Sequence, residues 1–307
     1  MLMKAPAQPP VRTQRRDRQR PPCEILAPRE QTLAAVFASP HSGRDYPKPF
    51  VRQSRLDLLS LRRSEDSFVD DIFAAAPDCG APLLRALFPR VYVDPNREPY
   101  ELDPEMFDAP PPPFAKTRSP QIAAGLGTVA KCISDGREIY AEKLPIADAL
   151  RRIETLYMPY HRALGQLVSD TRARFGFCLL IDCHSMPSTT SATTTRKIGR
   201  MPEIVLGDRH GTSCAPVLID TVQGILEGQG YKVVRNVPYA GGFTTQRYGH
   251  PAAHVHALQI EINRALYMDE ARFEPTPGLA TLAGHMRDVI QAVGAVPSAS
   301  LPLAKSA

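Results

Sequence analysis

One stretch of this 307-residue chain is apolar at nearly every position. It is FCLLIDC at residues 177–183. A strand that is buried on both faces has such a continuous apolar sequence, whereas a strand with one solvated face alternates. Because helices on both sides of a sheet bury both of its faces, this run predicts an α/β fold. A further strand is predicted at residues 256–262, HALQIEI.

The remaining sequence supplies the alternating strands and helices that this fold needs. Pro110 to Pro113 cannot lie within a helix or a central strand, so residues 104–128 are predicted to form an extended, lid-like loop. Pro159 is expected to kink or break the helix that contains it. Further strands are predicted at 32–39, 90–94, 203–206 and 231–236, and helices at 54–76, 145–175, 218–226 and 279–293.

The composition predicts a folded body between two tails. Hydrophobic residues make up 43% of the chain, which is enough for a sizeable core. The net charge of +5 lies within residues 1–22, where Lys4 and five arginines face a single aspartate. The folded body is therefore near neutral, and nucleic-acid binding is not expected. We assign residues 1–24 to a disordered basic tail, 25–295 to one catalytic domain and 296–307 to a second tail.

Cysteine content and hydropathy indicate which cellular compartment suits this domain. Six cysteines without a CxxC pair are too few for a disulfide scaffold, which fits a reducing cytoplasm. No run of about 18 apolar residues exists, so no membrane-spanning helix is predicted. Cys183 lies beside His184, but neighbouring strand residues point to opposite faces, so the two cannot form a catalytic dyad. We predict Cys183 to be a small buried apolar residue.

Several polar side chains follow the predicted strands, where α/β sheets place their ligand sites. His41 and His184 each end a buried strand. Two imidazoles, one carboxylate and an open position make a catalytic zinc site, although ordinary loop histidines would show the same pattern. The third ligand stays open at this point, and the candidates are Asp66, Glu65, Asp45 and Asp182.

Glu261 is a carboxylate on an otherwise apolar strand. Burial there would raise its pKa, which suits a general base, while an ion pair with Arg264 is the structural alternative. Asn96 and Arg97 directly follow a predicted strand. The planar fork of an arginine matches a carboxylate, so this pair predicts a substrate with an acidic end.

The glycine-rich loop at residues 239–249 offers a second candidate contact with substrate. Gly242 lets the backbone approach a ligand closely, and Arg247 can bind a further carboxylate, although a lone arginine is more often a surface residue. We include Gly242, Thr245 and Arg247 among the predicted substrate-binding residues.

These residues lie in blocks that resemble the N-formylglutamate amidohydrolase family, over about residues 30–290. The blocks occur in the family's order, which makes the resemblance specific. The strand-end histidine, the Asn-Arg pair and the late glutamate are also similar to those of the wider zinc carboxypeptidase and aspartoacylase superfamily. The blocks are SPHSGRDYP (39–47), SEDSFVDDIF (64–73), VDPNREPYELD (93–103), LLIDCHSMPS (179–188), GDRHGTSC (207–214), NVPYAGGFTTQRYG (236–249) and ALQIEINRALY (257–267).

The resemblance implies a single three-layer α/β/α domain around a mixed central sheet, with one catalytic Zn²⁺. His41 and His184 match the zinc histidines. Glu261 matches the general acid and base. Asn96 and Arg97 match the pair that grips a substrate carboxylate.

The third zinc ligand departs from the superfamily pattern. The carboxypeptidases place a glutamate three residues after the first histidine, and this chain has Arg44 there. We therefore expect Asp66 to replace it, with Glu65 next in order.

The implied reaction is hydrolysis of N-formyl-L-glutamate to formate and L-glutamate, as in histidine breakdown. Glu261 would activate a zinc-bound water, and Arg97 and Arg247 would hold the two carboxylates of a small N-acyl amino acid. One alternative is a zinc enzyme for another N-acyl amino acid or a short peptide. Another is a non-catalytic binding protein with the same fold. The oligomeric state stays open.

Overall fold

Seven strands form the central sheet of the structure, a computed structural model that describes residues 21–189 and 201–301. In chain order they are β1 (Cys23–Leu26), β2 (Ala35–Ser39), β3 (Leu83–Ala86), β4 (Cys178–Met186), β5 (Ile204–Gly207), β6 (Val233–Arg235) and β7 (Val255–Asn263). Across the sheet the order is β1-β3-β2-β4-β7-β5-β6. β1 is antiparallel to β3 and β5 is antiparallel to β7, while the other neighbouring pairs are parallel, so the sheet is mixed. Two short strands, β8 (Met268–Asp269) and β9 (Glu274–Pro275), form a separate ribbon.

Helices cover both faces of this sheet. Those in the described residues are α1 (Lys48–Gln53), α2 (Leu58–Arg62), α3 (Val69–Ile72), α4 (Ala76–Cys79), α5 (Pro120–Ala123), α6 (Ile146–Arg152), α7 (Met158–Phe175), α8 (Pro216–Gly228), α9 (Phe243–Tyr248) and α10 (Gly278–Gly294). Short 3₁₀ turns lie at Pro104–Met106, Pro251–Ala253, Arg264–Leu266 and Ser298–Ser300. α3, α8 and α10 pack on one face and α7 on the other, which confirms the predicted three-layer α/β/α architecture with a mixed sheet. Across residues 21–189 and 201–301, no helix is both long enough and apolar enough to cross a membrane.

The two faces of the sheet carry two separate cores. Ile181 and Cys183 of β4 point into the core under α8 and α10, so the predicted burial of Cys183 is confirmed. Leu180 points into the other core, under α7. Because successive strand residues alternate, His184 lies on the α7 face. Glu261 of β7 is level with His184 in the parallel register, so both face the same side.

The helix predicted for residues 145–175 is present, and Pro159 does not break it. A π-helical turn at Ile153–Tyr157 joins α6 to α7 directly before this proline. Proline has no N–H to donate, and its ring crowds the preceding turn of an α-helix. The wider turn accommodates that ring, and such turns are frequent at functional sites.

Two predicted elements are wrong. Residues 90–94 form a turn rather than a strand, because the N–H groups of Tyr92 and Val93 both donate to the carbonyl of Pro89. β3 lies earlier in the chain, and its four residues are too few to show a pattern. The single helix predicted for 54–76 is instead three short helices, α2 to α4, interrupted where Phe68 takes a left-handed conformation with φ of 65°.

The boundaries of the folded body also differ from the expected ones. Cys23 and Glu24, assigned to the first tail, belong to β1 and pair with β3. Val296 and Leu301, assigned to the second tail, are buried in the core under α10. The remaining tail residues, 1–20 and 302–307, lie outside the described residues, as does most of the Ser/Thr-rich segment before Met201.

Gly207, at the end of β5, allows the glycine-rich loop to lie directly on the sheet. A Cβ at this position would lie 2.7 Å from the backbone nitrogen of Gly241 and 2.8 Å from the carbonyl carbon of Ala240. We predict that Gly207→Ala lowers the free energy of unfolding by about 1–3 kcal/mol, because it overpacks this contact. Urea unfolding measures the change.

Gly224→Ala is the matched control for this substitution. Gly224 lies within α8, and a Cβ there would meet nothing within 4 Å. Alanine at this position should stabilise the protein by up to about 1 kcal/mol. Equal stability of the two variants would contradict the close packing of the loop on β5.

Candidate metal centre and active site

His41, Asp66 and His184 form one buried cluster at the carboxyl ends of β2 and β4. Their candidate ligand atoms all lie within 4.8 Å of one another. Asp66 Oδ2 is 3.0 Å from His184 Nδ1 and 3.3 Å from His41 Nδ1. β4 continues past the predicted end to Met186, so His184 projects from the strand itself, whereas His41 follows β2. A hydrogen bond of 3.0 Å from the Asp66 N–H to the His41 carbonyl ties the two segments together.

The outer ring nitrogens of both histidines contact carboxylates. His41 Nε2 lies 2.7 Å from Asp94 Oδ1, and His184 Nε2 lies 3.0 Å from Asp182 Oδ2. These carboxylates orient the two rings so that Nδ1 of each faces Asp66. Metal-ligating histidines usually have such a partner on the nitrogen that does not bind the metal.

The charge of the cluster follows from these contacts. Burial opposes ionisation of Asp66, but the hydrogen bond from His184 and the proximity of both imidazoles hold the pKa of its carboxyl well below the usual range. Burial also opposes a charge on His184, yet Asp182 and then Asp66 raise the pKa of its imidazole well above the ordinary value. Asp66 is therefore ionised, and its carboxylate and the two imidazoles could together bind a cation.

The geometry distinguishes the four carboxylates that the sequence left open. Glu65 is buried but accepts hydrogen bonds from Arg62 Nε at 3.1 Å and Ser67 Oγ at 2.8 Å. Asp45 is exposed, and Asp182 lies at the outer nitrogen of His184. Asp66 is the candidate whose oxygen lies between the two imidazoles.

The second oxygen of Asp66 is held by Arg264. Asp66 Oδ1 accepts from Arg264 Nη2 at 3.1 Å, while the same guanidinium donates to Ser185 Oγ at 3.1 Å and to the Arg63 carbonyl at 2.9 Å. Arg264 thus fixes the orientation of Asp66. Arg264 therefore forms its ion pair with Asp66, and the alternative pairing with Glu261 is wrong.

Glu261 lies beside the cluster, buried and level with His184. Its Oε1 accepts a hydrogen bond of 2.9 Å from Gln259 Nε2, and no described residue forms an ion pair with it. Burial raises the pKa of Glu261 to about 7, with His184 opposing the shift and Asp66 adding to it. A carboxyl group with this pKa can both accept and return a proton near neutral pH.

Asn96, Gly242 and Thr245 hold the glycine-rich loop against the cluster. Asn96 Oδ1 accepts from the Thr244 N–H at 2.8 Å, and Gly242 packs so closely on Asn96 that a Cβ would lie 2.4 Å from Nδ2. The Gly242 N–H donates to Gln259 Oε1 at 2.8 Å. Thr245 is buried, and its hydroxyl donates to the Gly242 carbonyl at 2.9 Å, so it shapes the loop from within.

Arg97 and Arg247 are cations without carboxylate partners among the described residues. Arg97 is half-buried, and it donates through Nε to the Leu126 carbonyl at 2.8 Å and through Nη1 to the Asn96 carbonyl at 2.9 Å. Arg247 is exposed and lies over the rings of Phe243 and Tyr248, 5.9 and 5.6 Å from their centroids. Both can meet an anionic ligand without first breaking an ion pair.

Three residues of the site were missed from the sequence. Asp94 orients His41, and Arg90 Nη2 contacts Asp94 Oδ2 at 2.7 Å. Both fell within the incorrectly predicted strand at 90–94. Tyr239 packs near Glu261, and burial together with that carboxylate raises the pKa of its phenol to about 12. Its place in a glycine-rich loop gave no pattern that would single it out.

His161 of α7 lies behind the site and is buried. Its Nε2 is 2.8 Å from the Pro95 carbonyl, and its Nδ1 is 3.0 Å from the hydroxyl of Tyr248. Burial lowers the pKa of His161 from 6.5 to about 4. The imidazole is therefore neutral in the folded protein at pH values at which it is charged in the unfolded chain.

This shift predicts a loss of stability in acid. Between its folded and unfolded pKa values, His161 binds more protons in the unfolded chain, so its contribution is present above pH 6.5 and is lost as the pH falls. From pH 7.5 to pH 5 the loss attributable to His161 should be about 2 kcal/mol. Urea unfolding at the two pH values should show a correspondingly smaller drop for His161→Gln than for the wild type. An equal drop would contradict the buried neutral imidazole.

Comparison with known proteins agrees with the fold. The sequence pattern of the N-formylglutamate amidohydrolase family matches residues 33–268. An N-formylglutamate deformylase of Pseudomonas aeruginosa is 30% identical over 271 residues, which cover 87% of this chain and 94% of that protein. Its counterpart in Pseudomonas putida is 29% identical over 250 residues, or 80% and 86% of the two chains.

A solved structure gives the same relationship. The N-formylglutamate amidohydrolase of Ralstonia eutropha JMP134 superposes with a TM-score of 0.83 at 36% identity, covering 89% of this chain and 97% of that one. The fold and the site together define the class of protein. It is an α/β/α hydrolase with a His-Asp-His cluster beside a buried glutamate. The chain belongs to the N-formylglutamate amidohydrolase family. Membership places it among amidohydrolases, which hydrolyse a carbon–nitrogen bond.

Proposed function

We propose that this protein hydrolyses N-formyl-L-glutamate to formate and L-glutamate. The observation that carries the proposal is the position of Glu261 beside the cluster of His41, Asp66 and His184, in a chain of the N-formylglutamate amidohydrolase family. A metal site and an adjacent acid–base group are the two requirements of metal-assisted amide hydrolysis. The names of the Pseudomonas and Ralstonia relatives support this substrate.

The proposed cofactor is one Zn²⁺, held by His41 Nδ1, His184 Nδ1 and Asp66 Oδ2. Two imidazole nitrogens and one carboxylate oxygen match the ligands of catalytic zinc sites. His41 Nδ1 is buried and has no hydrogen-bond partner among the described residues, as a nitrogen reserved for a metal should be. Bound there, Zn²⁺ would polarise the formyl oxygen and lower the pKa of water.

Glu261 is the proposed proton carrier. Its carboxylate accepts a proton from the attacking water, whose oxygen forms the new bond to the formyl carbon. The same carboxyl group then delivers that proton to the glutamate nitrogen as the carbon–nitrogen bond breaks. The pKa of about 7 suits both transfers, because neither protonation state of Glu261 is strongly preferred near neutral pH.

The substrate carboxylates are proposed to bind Arg97 and Arg247. N-formyl-L-glutamate carries two carboxylates, and these two guanidinium groups form no ion pair with described carboxylates. Asn96 and Gly242 place the backbone that carries them, and Thr245 keeps the loop in shape. A charge-assisted contact of this kind is stronger than a neutral hydrogen bond, so it favours a dicarboxylate over a neutral peptide.

The proposed setting is the cytoplasm. All six cysteines are free thiols, and four of them are buried. This is the state that a reducing compartment maintains.

Formate release from N-formyl-L-glutamate tests the proposal. The purified protein should release formate, lose this activity on treatment with a chelator and regain it when zinc is returned. N-formyl-L-alanine, which lacks the second carboxylate, should react with a higher KM. Absence of metal-dependent formate release would contradict the proposed reaction, and preferential cleavage of a neutral peptide would contradict the substrate.

Glu261→Gln separates the proton carrier from the metal site. This substitution should lower kcat by about 10²–10⁴-fold, the usual contribution of a general acid–base group. Bound zinc, measured by mass spectrometry of the metal, should stay near one per chain. Glu65→Gln is the control, because Glu65 is also a buried carboxylate but pairs with Arg62. Glu261→Gln with wild-type kcat would refute the role of Glu261.

A further inference from the structure

Two side chains from the α7 region donate hydrogen bonds to backbone carbonyls beside the site. Tyr157 Oη donates to the Arg97 carbonyl at 2.8 Å, and His161 Nε2 lies 2.8 Å from the Pro95 carbonyl. A carbonyl only accepts, so His161 carries its proton on Nε2. Both side chains are buried, with exposed fractions of 2% and 7%.

Residues 94–97, the segment that Tyr157 and His161 contact, carry three groups of the site. Asp94 orients His41, Asn96 binds the glycine-rich loop, and Arg97 provides an unpaired guanidinium. The segment is neither helix nor strand, so regular backbone pairing does not fix it. Near its start, the Asp94 N–H donates to the Thr128 carbonyl at 2.8 Å. The contacts from Tyr157 and His161 hold the end that bears Arg97.

The helix presents these two side chains as a rigid pair. Tyr157 and His161 are four residues apart, so they lie on one helix face, and their ring centroids are 4.3 Å apart. Tyr157 is the last residue of the π-helical turn. The Tyr248 hydroxyl, next to Arg247, donates to the His161 carbonyl at 3.1 Å and lies 3.0 Å from His161 Nδ1. The α7 region therefore contacts both the segment that carries Arg97 and the segment that carries Arg247.

We propose that Tyr157 and His161 are positioning residues, which set the backbone of residues 95–97 so that Arg97 can bind the substrate carboxylate. This proposal rests on the proposed function, because it assigns the carboxylate of that substrate to Arg97. Neither residue takes part in proton transfer, so they should govern substrate affinity rather than the chemical step.

Tyr157→Phe is the mildest test. Loss of one hydroxyl should raise KM for N-formyl-L-glutamate on the order of fivefold, the effect of one hydrogen bond, with little change in kcat. Zinc content should stay unchanged. Tyr231→Phe is the matched control, because its hydroxyl contacts His285 Nδ1 at 2.7 Å, between β6 and α10 rather than behind the site. The control should leave KM at the wild-type value.

Two substitutions of His161 test whether its hydrogen bonds support substrate affinity. His161→Phe removes the hydrogen bonds and should raise KM as Tyr157→Phe does. His161→Gln keeps a donor and an acceptor on a similar length of side chain and should restore most of the affinity. Equal KM values for Phe and Gln at this position would overturn the hydrogen-bonding role of His161.

A double-mutant cycle shows whether Tyr157 acts through Arg97. In an Arg97→Ala background, Tyr157→Phe should produce no further rise in KM. An independent rise of the same size in that background would overturn the proposal. So would a wild-type KM for Tyr157→Phe.

Hydrogen exchange tests the positioning role without measuring the reaction. Peptides that contain residues 94–97 should exchange faster in Tyr157→Phe and His161→Phe than in the wild type or Tyr231→Phe. If the wild type releases no formate, the proposed function fails, and exchange still reports on the positioning. Unchanged exchange in these peptides would overturn the positioning role even if formate is released.

Discussion

The site depends on one carboxylate oxygen placed between two imidazoles. Asp66 Oδ2 lies 3.0 Å from His184 Nδ1 and 3.3 Å from His41 Nδ1, and all three side chains are buried. Burying an anion is costly unless charges and hydrogen bonds compensate for it. Arg264 supplies one compensating charge at Oδ1. The two imidazoles compensate for it at Oδ2, so removal of one member leaves a buried charge without its partner.

The fold brings the members of this cluster together from distant parts of the chain. β2 and β4 are parallel neighbours, so His41 and His184 meet at the same edge of the sheet. β7 lies on the other side of β4 and puts Glu261 level with His184. Asp66 comes from an irregular segment between α2 and α3, tied to the turn after β2 by a backbone hydrogen bond. The outer carboxylates, Asp94 and Asp182, then fix the rings.

The residues of regular elements were predictable from the sequence, and those of irregular segments were less so. A continuous apolar run located β4, and the apolar residues of HALQIEI located β7, hence the strands that carry His184 and Glu261. Residues 54–76, which include Asp66, were predicted to form one helix, but Phe68 takes a left-handed conformation that interrupts it. The 90–94 segment was predicted to be a strand from its β-branched and aromatic residues, although its N–H groups bond within a turn. Asp94 and Arg90 were missed for this reason. Spacing alone left the carboxylate of the cluster open among four residues, with Asp66 preferred, since its approach to His184 is a tertiary contact.

Metal content of two neighbouring variants tests the central claim most directly. Asp66 and Glu65 are adjacent, buried carboxylates, but only Asp66 lies between the imidazoles. After loading with zinc and removal of excess metal, the wild type and Glu65→Gln should hold about one ion per chain, as a single set of three protein ligands requires. Asp66→Asn should hold well below one. Full zinc occupancy in Asp66→Asn, with loss of the ion from Glu65→Gln, would contradict the assignment of this cluster as the metal centre.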